Sequence, residues 1–487
     1  MADTFLGIDL GTTSIKAAVL AGDGAVLARF DDSYPTRRDG PGRAEQDPAD
    51  WLRLIDGALE EFARQGHRGF RAGGLASQVN THVFVDRAGA PVMQAILWQD
   101  TRAAAEAAEL DARLTEAEKI AYLGAPIPID ASHPLARMLW VQRHLPEVWA
   151  RTARVVLPKD YALWHLTGEW ATDPLSNIGL VGPDGAYVGP ILDLVDGAAE
   201  RMIPIRRVSE VMGRLGDGTP MATGTMDAWV GLVGGGACRD GAFAYLSGTS
   251  EVMGAVSQTV TNAPGIIVFA EAEGLRMHAA PTQSGGASQD WACALLGLSH
   301  AELASLVSAS PRRHPAPLFL PQLAGERAPL WNAGLRGAFL GLDAAMGRAD
   351  LARAVYEGVA LSVRHILEAL EPSTGHRPGT ILCAGGGFRA DAWGQIRADI
   401  LCKRLERMAV NAPGIVGAVC LAAVAGGHCT SLSEAHAPFA AQDRTWTPDP
   451  AMRGYFDDLF GLYKEAIAAN EAIGTGLARL AAPAAGR

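Results

Sequence analysis

The chain has 487 residues, 48% of them hydrophobic and 20% charged. That is too long for a single core and suits two or three soluble domains. A net charge of −11 leaves no broad surface for nucleic acid or an anionic bilayer, since neither offers a partner to negative charge.

No apolar run reaches the roughly 18 residues a membrane span needs, and no basic-then-apolar leader precedes the first strand. Six scattered cysteines form no C-x-x-C pair. Together these features predict a cytoplasmic protein with reduced thiols and no thiolate metal site.

The first predicted element is a meander over residues 5–32. Leu6, Ile8 and Leu10 alternate as a strand requires. Gly11 bends the chain, Thr12, Thr13 and Ser14 follow, and Ala17–Leu20 resume as a second strand. Such a bend can turn several N–H groups towards one phosphate. Asp9 stands at its mouth, where a carboxylate is well placed for a Mg²⁺ between protein and phosphate. The plain alternative is a Thr-rich hairpin turn.

Asp47-Pro48 caps a helix whose apolar stripe is Trp51, Leu54, Ile55, Ala58, Leu59 and Phe62. Residues 70–77 form the next core strand and run into Gln78-Val79-Asn80-Thr81-His82; polar residues after a strand often face a ligand crevice. Residues 95–102 are expected to be a short strand ending in polar groups, with Asp100 and Arg102 free to pair on the surface. Helices are predicted over 103–122 and 134–144, and again after a turn-rich interruption at 182–187, to about 213.

Thr223–Gly231 places Asp227 at a helix start, where an ordinary cap is the simple reading. Near the midpoint of the chain the opening pattern returns. Gly248-Thr249-Ser250 stands where Gly11-Thr12-Thr13 stood, with Leu246 in place of Asp9 and Met253 in place of Lys16. Two halves, 1–239 and 240–487, each carrying a phosphate bend, are therefore expected to share one nucleotide. In the second half, helices are predicted over 288–296, 348–371, 391–401, 414–426 and 452–480. The buried strand 380–384 precedes Gly385-Gly386-Gly387, and a frayed tail closes the chain.

Several stretches together resemble the FGGY family of carbohydrate kinases, within the sugar kinase/actin/Hsp70 superfamily. The most specific is Gly337-Ala-Phe339-Leu-Gly341-Leu342, followed after a short spacer by Asp350–Glu357. Asp9-Leu-Gly-Thr-Thr, Leu97–Arg102, Pro158–Tyr161, Gly248–Ser250, Gly325–Pro329 and Gly385–Gly387 are also family-like.

The resemblance implies an α/β architecture of two actin-like, ribonuclease H-like domains with a cleft between them. It implies sugar bound mainly by the first domain, ATP mainly by the second, and γ-phosphoryl transfer to a hydroxyl of a sugar or polyol. Asp227 would be the general base and Asp9 would organise Mg²⁺. Gly11, Thr12, Thr13, Gly248 and Thr249 would cradle phosphates, and Gly385, Gly386 and Gly387 would let adenosine lie against the backbone. Gln78, Asn80, Thr81, Trp98 and Asp100 are the candidate sugar contacts.

The sugar side departs from well-known members. Val79-Asn80 follows Gln78 where xylulokinases carry Met-His and glycerol kinases Arg-Glu, and Ala228 stands where a polar residue usually follows the catalytic Asp. A ketopentose such as xylulose or ribulose, or a pentitol or tetritol, is the expected substrate. A homodimer is carried as an expectation, although no pattern in the sequence specifies it. The competing readings are an actin-like ATPase and a non-catalytic sugar sensor. The first leaves the family signature unexplained, and the second is disfavoured because Asp9 and Asp227 are both present.

Overall fold

The computed structural model describes residues 3–259, 263–310, 312 and 317–481, and divides them into two compact units. The first comprises residues up to 234, 270–274 and 414–439. The second comprises 235–269, 275–413 and the stretch from 440.

The first unit is built on β1 (Thr4–Leu10), β2 (Ser14–Ala21), β3 (Val26–Ser33), β4 (Ala72–Ser77), β5 (Val211–Arg214) and β6 (Pro220–Ala222). They lie in the order β3-β2-β1-β4-β6-β5, and β7 (Thr225–Met226) also pairs with β4. The meander β1–β3 is antiparallel, as the alternating apolar residues require, while β4 joins β1 in parallel. A parallel partner needs a crossover, and α1 (Pro48–Arg64) supplies it. Asp47 accepts from the N–H of Ala49, Pro48 opens the first turn, and Trp51, Leu54, Ile55, Ala58 and Phe62 are buried against the sheet.

The other face of this sheet takes the return helix Pro413–Ala425. Its backbone comes so close that a β-carbon on Gly74 would overlap the carbonyl of Ala418, and one on Gly7 would crowd Ile415. A second cluster of the unit gathers Phe84, Leu110 and Val155 around α2 (Pro134–His144). The remaining helices named here are α3 (Pro158–Thr167) and α4 (Asp227–Gly234).

The second unit repeats the plan. Its strands are β8 (Phe243–Ser247), β9 (Glu251–Val256), β10 (Ile267–Val268), β11 (Met277–Pro281), β12 (Thr380–Ala384), β13 (Arg404–Met408) and β14 (Gln442–Trp446). Their order is β10-β11-β9-β8-β12-β13-β14. As in the first unit, an antiparallel hairpin (β8–β9) meets a parallel neighbour (β12), and the far edge strand is antiparallel. Helices α5 (Gly286–Leu296), α6 (Arg348–Thr374), α7 (Asp391–Leu401) and α8 (Arg453–Ala481) complete it. Trp393, Tyr356, Phe319 and Tyr463 are fully buried in or beside α6.

Several expectations change. The helix read over 103–122 is two helices, Ala104–Asp111 and Glu116–Leu123, because Thr115 and Glu118 form a capping box that starts a new one. The helical stretch drawn to about 213 holds only the short turns Gly189–Leu192 and Ala199–Arg201, followed by β5, β6 and β7. Those strands are too short and Gly-interrupted to show period-2 alternation. Residues 95–102 contribute only Ala95–Ile96 as strand. Helix His300–Ala309 and strands β13 and β14 were not foreseen. The tail beyond 481 lies outside the described residues.

The two bends also differ in length. Leu10 pairs with Ile15, but Ser247 pairs with Glu251, so the second bend is one residue shorter. Asp9 faces Lys16 while Leu246 faces Val252, which makes Val252, not Met253, the positional counterpart of Lys16.

All six cysteines are free thiols. Among the described residues no cluster of His, Cys, Asp and Glu could hold a metal by itself, and no single helix is long and apolar enough to cross a membrane.

Candidate active site

In the first unit the sheet register gathers two carboxylates. Asp9 on β1 is aligned with Ala76 of β4, and Thr225 of β7 is aligned with the same Ala76 from the other side. Adjacent strands lie about 4.8 Å apart, so the backbones of Asp9 and Thr225 are about 10 Å apart across β4. Two residues on, Asp227 opens α4, and its Oδ1 accepts from the N–H of Ala228 at 2.7 Å.

Both acids resist ionisation. Burial lifts Asp9 to about 6, aided by Asp31 and opposed by Lys16. Burial and then the nearby charge of Asp9 lift Asp227 to about 7, against a smaller pull from the Ala228 N–H. A carboxylate titrating near neutrality suits a general base. Asp9 Oδ1 is buried with no hydrogen-bond partner among the described residues. An orphaned acid oxygen fits a cation better than it fits an empty interior.

The carbonyl and N–H groups of the bend at 11–14 differ in their partners. Its carbonyls are all occupied. Gly11 O accepts from the phenol of Tyr34, Thr12 O from Gln46 Nε2 at 2.7 Å, Thr13 O from the Tyr34 N–H at 3.2 Å, and Ser14 O from the Gly11 N–H at 3.0 Å. The N–H groups of Thr12 and Thr13 have no partner among the described residues. Burial and the charges of Asp9 and Asp227 raise the Tyr34 phenol far above its usual range, so it stays a donor.

Of the candidate sugar residues, Trp98 is the one bonded to this bend among the described residues. Trp98 is half-buried and donates from Nε1 to Thr12 Oγ1 at 3.1 Å. Gln78 and Thr81 are buried; Thr81 Oγ1 donates to Gln78 Oε1, and Gln78 Nε2 to Gln46 Oε1. Their side-chain polar atoms already have internal partners. Asn80 is half-buried, adopts φ 54°, and donates to Ser132.

Asp100 is not on the surface. It is buried, its oxygens accept from Ala44 N–H, Arg102 N–H and the Arg102 guanidinium, and Arg102 continues to Glu45. Burial pushes its acid up, but these donors outweigh burial and hold it below the usual carboxylate range. It has no free oxygen for a sugar hydroxyl without breaking that ion pair.

Other anchors were not foreseen. Arg137, fully buried on α2, donates to the carbonyls of Asn80, Ile96 and Leu97 and to His82, and so ties loop 78–82 to loop 95–98. Lys159 is buried between Asp160 and Asp173, and Asp173 in turn accepts from Thr225 Oγ1 at 2.6 Å, two residues before Asp227. Lys16, by contrast, is exposed.

In the second unit the bend 248–250 is held by backbone. The N–H groups of Gly286 and Ala287, at the start of α5, donate to the carbonyls of Gly248 and Thr249 at 2.9 and 3.0 Å. Only glycine permits this approach, because a β-carbon on Gly285 would lie 2.7 Å from Ser250. Gly248 and Thr249 are exposed, and the N–H groups of Thr249 and Ser250 have no partner among the described residues.

Gly385 has φ 109° and lies against Ser247, with Asn411 bonded to both its N–H and its carbonyl. Gly387 is held by Arg397, which donates to Gly387 O at 3.0 Å, to Ser247 Oγ and to Glu251 at 2.7 Å, while stacking on Trp393. A β-carbon on Gly386 would meet nothing within 4 Å, so this glycine faces open space. The second bend and the triple glycine therefore share one ledge.

Residues 4–247 match the N-terminal domain of the FGGY family of carbohydrate kinases, and residues 243–426 match its C-terminal domain. The chain is 34% identical over 450 residues to a xylulose kinase of Escherichia coli, covering 88% of this chain and 92% of that protein. A gluconate kinase of Lactobacillus acidophilus superposes with a TM-score of 0.87 at 23% identity, covering 97% of this chain and 99% of the other. A ligand-bound xylulose kinase from the same species gives 0.86 at 23%, covering 96% and 98%. At that identity the two structures speak to fold alone. With both family domains matched in order along the chain, this protein belongs to the FGGY family of carbohydrate kinases, enzymes that pass the γ-phosphoryl group of ATP, with Mg²⁺, to an alcohol group.

Proposed function

We propose that this kinase acts on a ketopentose, xylulose first among them, with Asp227 as the general base. The observation that carries the base assignment is the half-buried Asp227 carboxylate at the start of α4, directly after the strand that lies across β4 from Asp9; burial and the charge of Asp9 raise it to about 7, in keeping with that role. The substrate assignment leans on the similarity to xylulose kinase.

In this reading the substrate hydroxyl gives its proton to Asp227 as its oxygen attacks the γ-phosphorus, and the bond from phosphorus to the β–γ bridging oxygen breaks to leave ADP. Asp9 would hold Mg²⁺, directly or through water, and the ion would supply charge neutralisation at the phosphates. The N–H groups of Thr12 and Thr13, beside Gly11, would take the transferred phosphoryl group. Gly248 and Thr249 would take the other phosphates, and Gly385, Gly386 and Gly387 would give adenosine a flat backbone surface. Residues 1–239 would supply the sugar and base functions, and 240–487 the nucleotide ledge.

Among the sugar candidates, Trp98 and Asn80 are the ones with half-exposed surface, and we assign direct contact to them; Gln78, Thr81 and Asp100 hold the loops in place. Ala228 offers no hydrogen bond next to the base, which favours substrates that need none at that point.

The test is ADP release from the purified protein against ketopentoses, pentitols, tetritols, ketohexoses and gluconate. Xylulose or ribulose is expected to give the highest kcat/KM, with activity abolished in Asp227→Ala and ATP binding retained. Turnover of gluconate above every ketopentose would overturn the substrate, and full activity in Asp227→Ala would overturn the base.

A further inference from the structure

The two bends are gripped by different chemistry. In the second unit, main-chain N–H groups at the start of α5 hold the carbonyls of Gly248 and Thr249. In the first unit no helix N–H donates to the bend among the described residues, and the carbonyls of Gly11 and Thr12 are held by two side chains, Tyr34 and Gln46. A peptide has its carbonyl and N–H on opposite sides, so pinning successive carbonyls fixes where the neighbouring N–H groups point.

Gln46 is fully buried and uses its whole amide. Nε2 donates to Thr12 O at 2.7 Å and to Thr36 Oγ1 at 2.9 Å. Oε1 accepts from Trp51 Nε1 at 3.2 Å and from Gln78 Nε2 at 3.1 Å. From Gln78 the chain of bonds runs to Thr81 Oγ1, from the Trp98 N–H to that same oxygen, and from Trp98 Nε1 back to Thr12 Oγ1. Thr12 is thus held at its carbonyl and at its hydroxyl by the two ends of one closed circuit. The circuit joins the phosphate bend to the loops that carry the sugar candidates.

We propose that Gln46 and Tyr34 are positioning residues for phosphoryl transfer: they hold the Gly11 and Thr12 carbonyls back so that the N–H groups of Thr12 and Thr13 face the transferred group. The proposal rests on the reading of the bend at 11–14 as the γ-phosphoryl cradle. Neither side chain touches substrate; both act through the backbone of the bend. Fixed donors matter most where charge develops during transfer, so the loss should fall on turnover and not on sugar binding.

The test uses Gln46→Glu, which keeps the size and the two acceptor bonds but sets an oxygen against the Thr12 carbonyl, and Tyr34→Phe, which keeps the ring against Trp51. Turnover, sugar KM, thermal midpoint, and affinities for ADP and a non-hydrolysable ATP analogue are measured in each. Gln46→Glu is expected to lower kcat on the order of 30-fold and Tyr34→Phe on the order of 5-fold, with sugar KM within about 3-fold. The ATP analogue should lose affinity while ADP does not, because the analogue alone carries the γ-phosphoryl group.

A kcat within 2-fold of wild type in Gln46→Glu overturns the proposal. So does an equal loss for ADP and the analogue, or a fall in kcat that simply follows a lowered thermal midpoint. Should Gln46→Glu barely fold, Tyr34→Phe alone decides by the same criteria. Asp227→Asn, assayed in parallel, separates the two levels: full activity there rejects the base assignment and leaves the bend to the other two variants, whereas loss there with normal turnover in both other variants rejects only the positioning role.

Discussion

Asp227 is held where its charge is unwelcome, and this has opposite consequences for activity and stability. As a base it must be ionised, so kcat/KM is expected to fall about tenfold per pH unit below pH 7. For stability the sign reverses. Its folded pKa is raised from 3.8 to about 7, so between those values the native state keeps a proton that the unfolded chain has released. Its contribution to stability is therefore lost as pH rises through that window. Asp227→Asn should raise the thermal midpoint of the ligand-free protein at pH 8, by an amount equivalent to about 2 kcal/mol after discounting for partial exposure, and do little at pH 4. Calorimetry at the two pH values checks it; an equal shift at both would mean the group is not strained by its charge. Gly414 is a second residue of this kind. A β-carbon there would overlap Asp9 Oδ2, so Gly414→Ala should displace the Asp9 carboxylate. It is expected to raise the Mg²⁺ concentration needed for half-maximal rate several-fold with little change in sugar KM.

At the scale of elements, the short strand β7 delivers the base, and what holds β7 is a buried ion cluster. Lys159 at the start of α3 lies between Asp160 and Asp173, and Asp173 takes the Thr225 hydroxyl. Burial works against the charge on Lys159, yet the two acids outweigh it and raise its pKa. Removing one partner from such a cluster leaves uncompensated buried charge, which costs about 3–5 kcal/mol. Lys159→Met should lose about that much by urea unfolding and lower kcat as the β7–α4 junction loosens. A variant as stable as wild type would show that the acids take up protons and no longer need the lysine. The cluster was visible in sequence only as a family-like Pro158–Tyr161 motif, because Asp173 and Thr225 are brought to Lys159 by tertiary packing alone.

For the whole molecule, the return segment 414–439 is the notable feature. It belongs by contact to the first unit although it follows most of the second in sequence. A single cut at 239/240 separates it from the sheet face marked by Gly7 and Gly74, where its helix packs without intervening side chains. A fragment of residues 1–239 is therefore expected to expose apolar sheet and aggregate or remain partly folded. Circular dichroism and gel filtration of that fragment check this; a monomeric, cooperatively melting fragment would show that the return helix is dispensable to the first unit.

What the sequence determined by itself is local. Period-2 alternation, the Asp47-Pro48 cap and the glycine–hydroxyl bends specified β1–β2, α1 and the hairpin at 243–256, because each depends on residues a few positions apart. The two bends and Asp9 at the mouth of the first could be picked out for the same reason, whereas Asp227 reads locally as an ordinary cap and takes its proposed role from the family resemblance. The tertiary structure decided the rest. The Asp100–Arg102 pair is buried and not on the surface because Ala44 and Glu45 reach it from another loop, and Gln78 belongs to a buried circuit because Gln46 does the same. The same holds for Tyr34 and Gln46, which no local pattern in the sequence singles out. Polar side chains have several possible partners along a chain, and burial selects among them by penalising every donor and acceptor left unmatched.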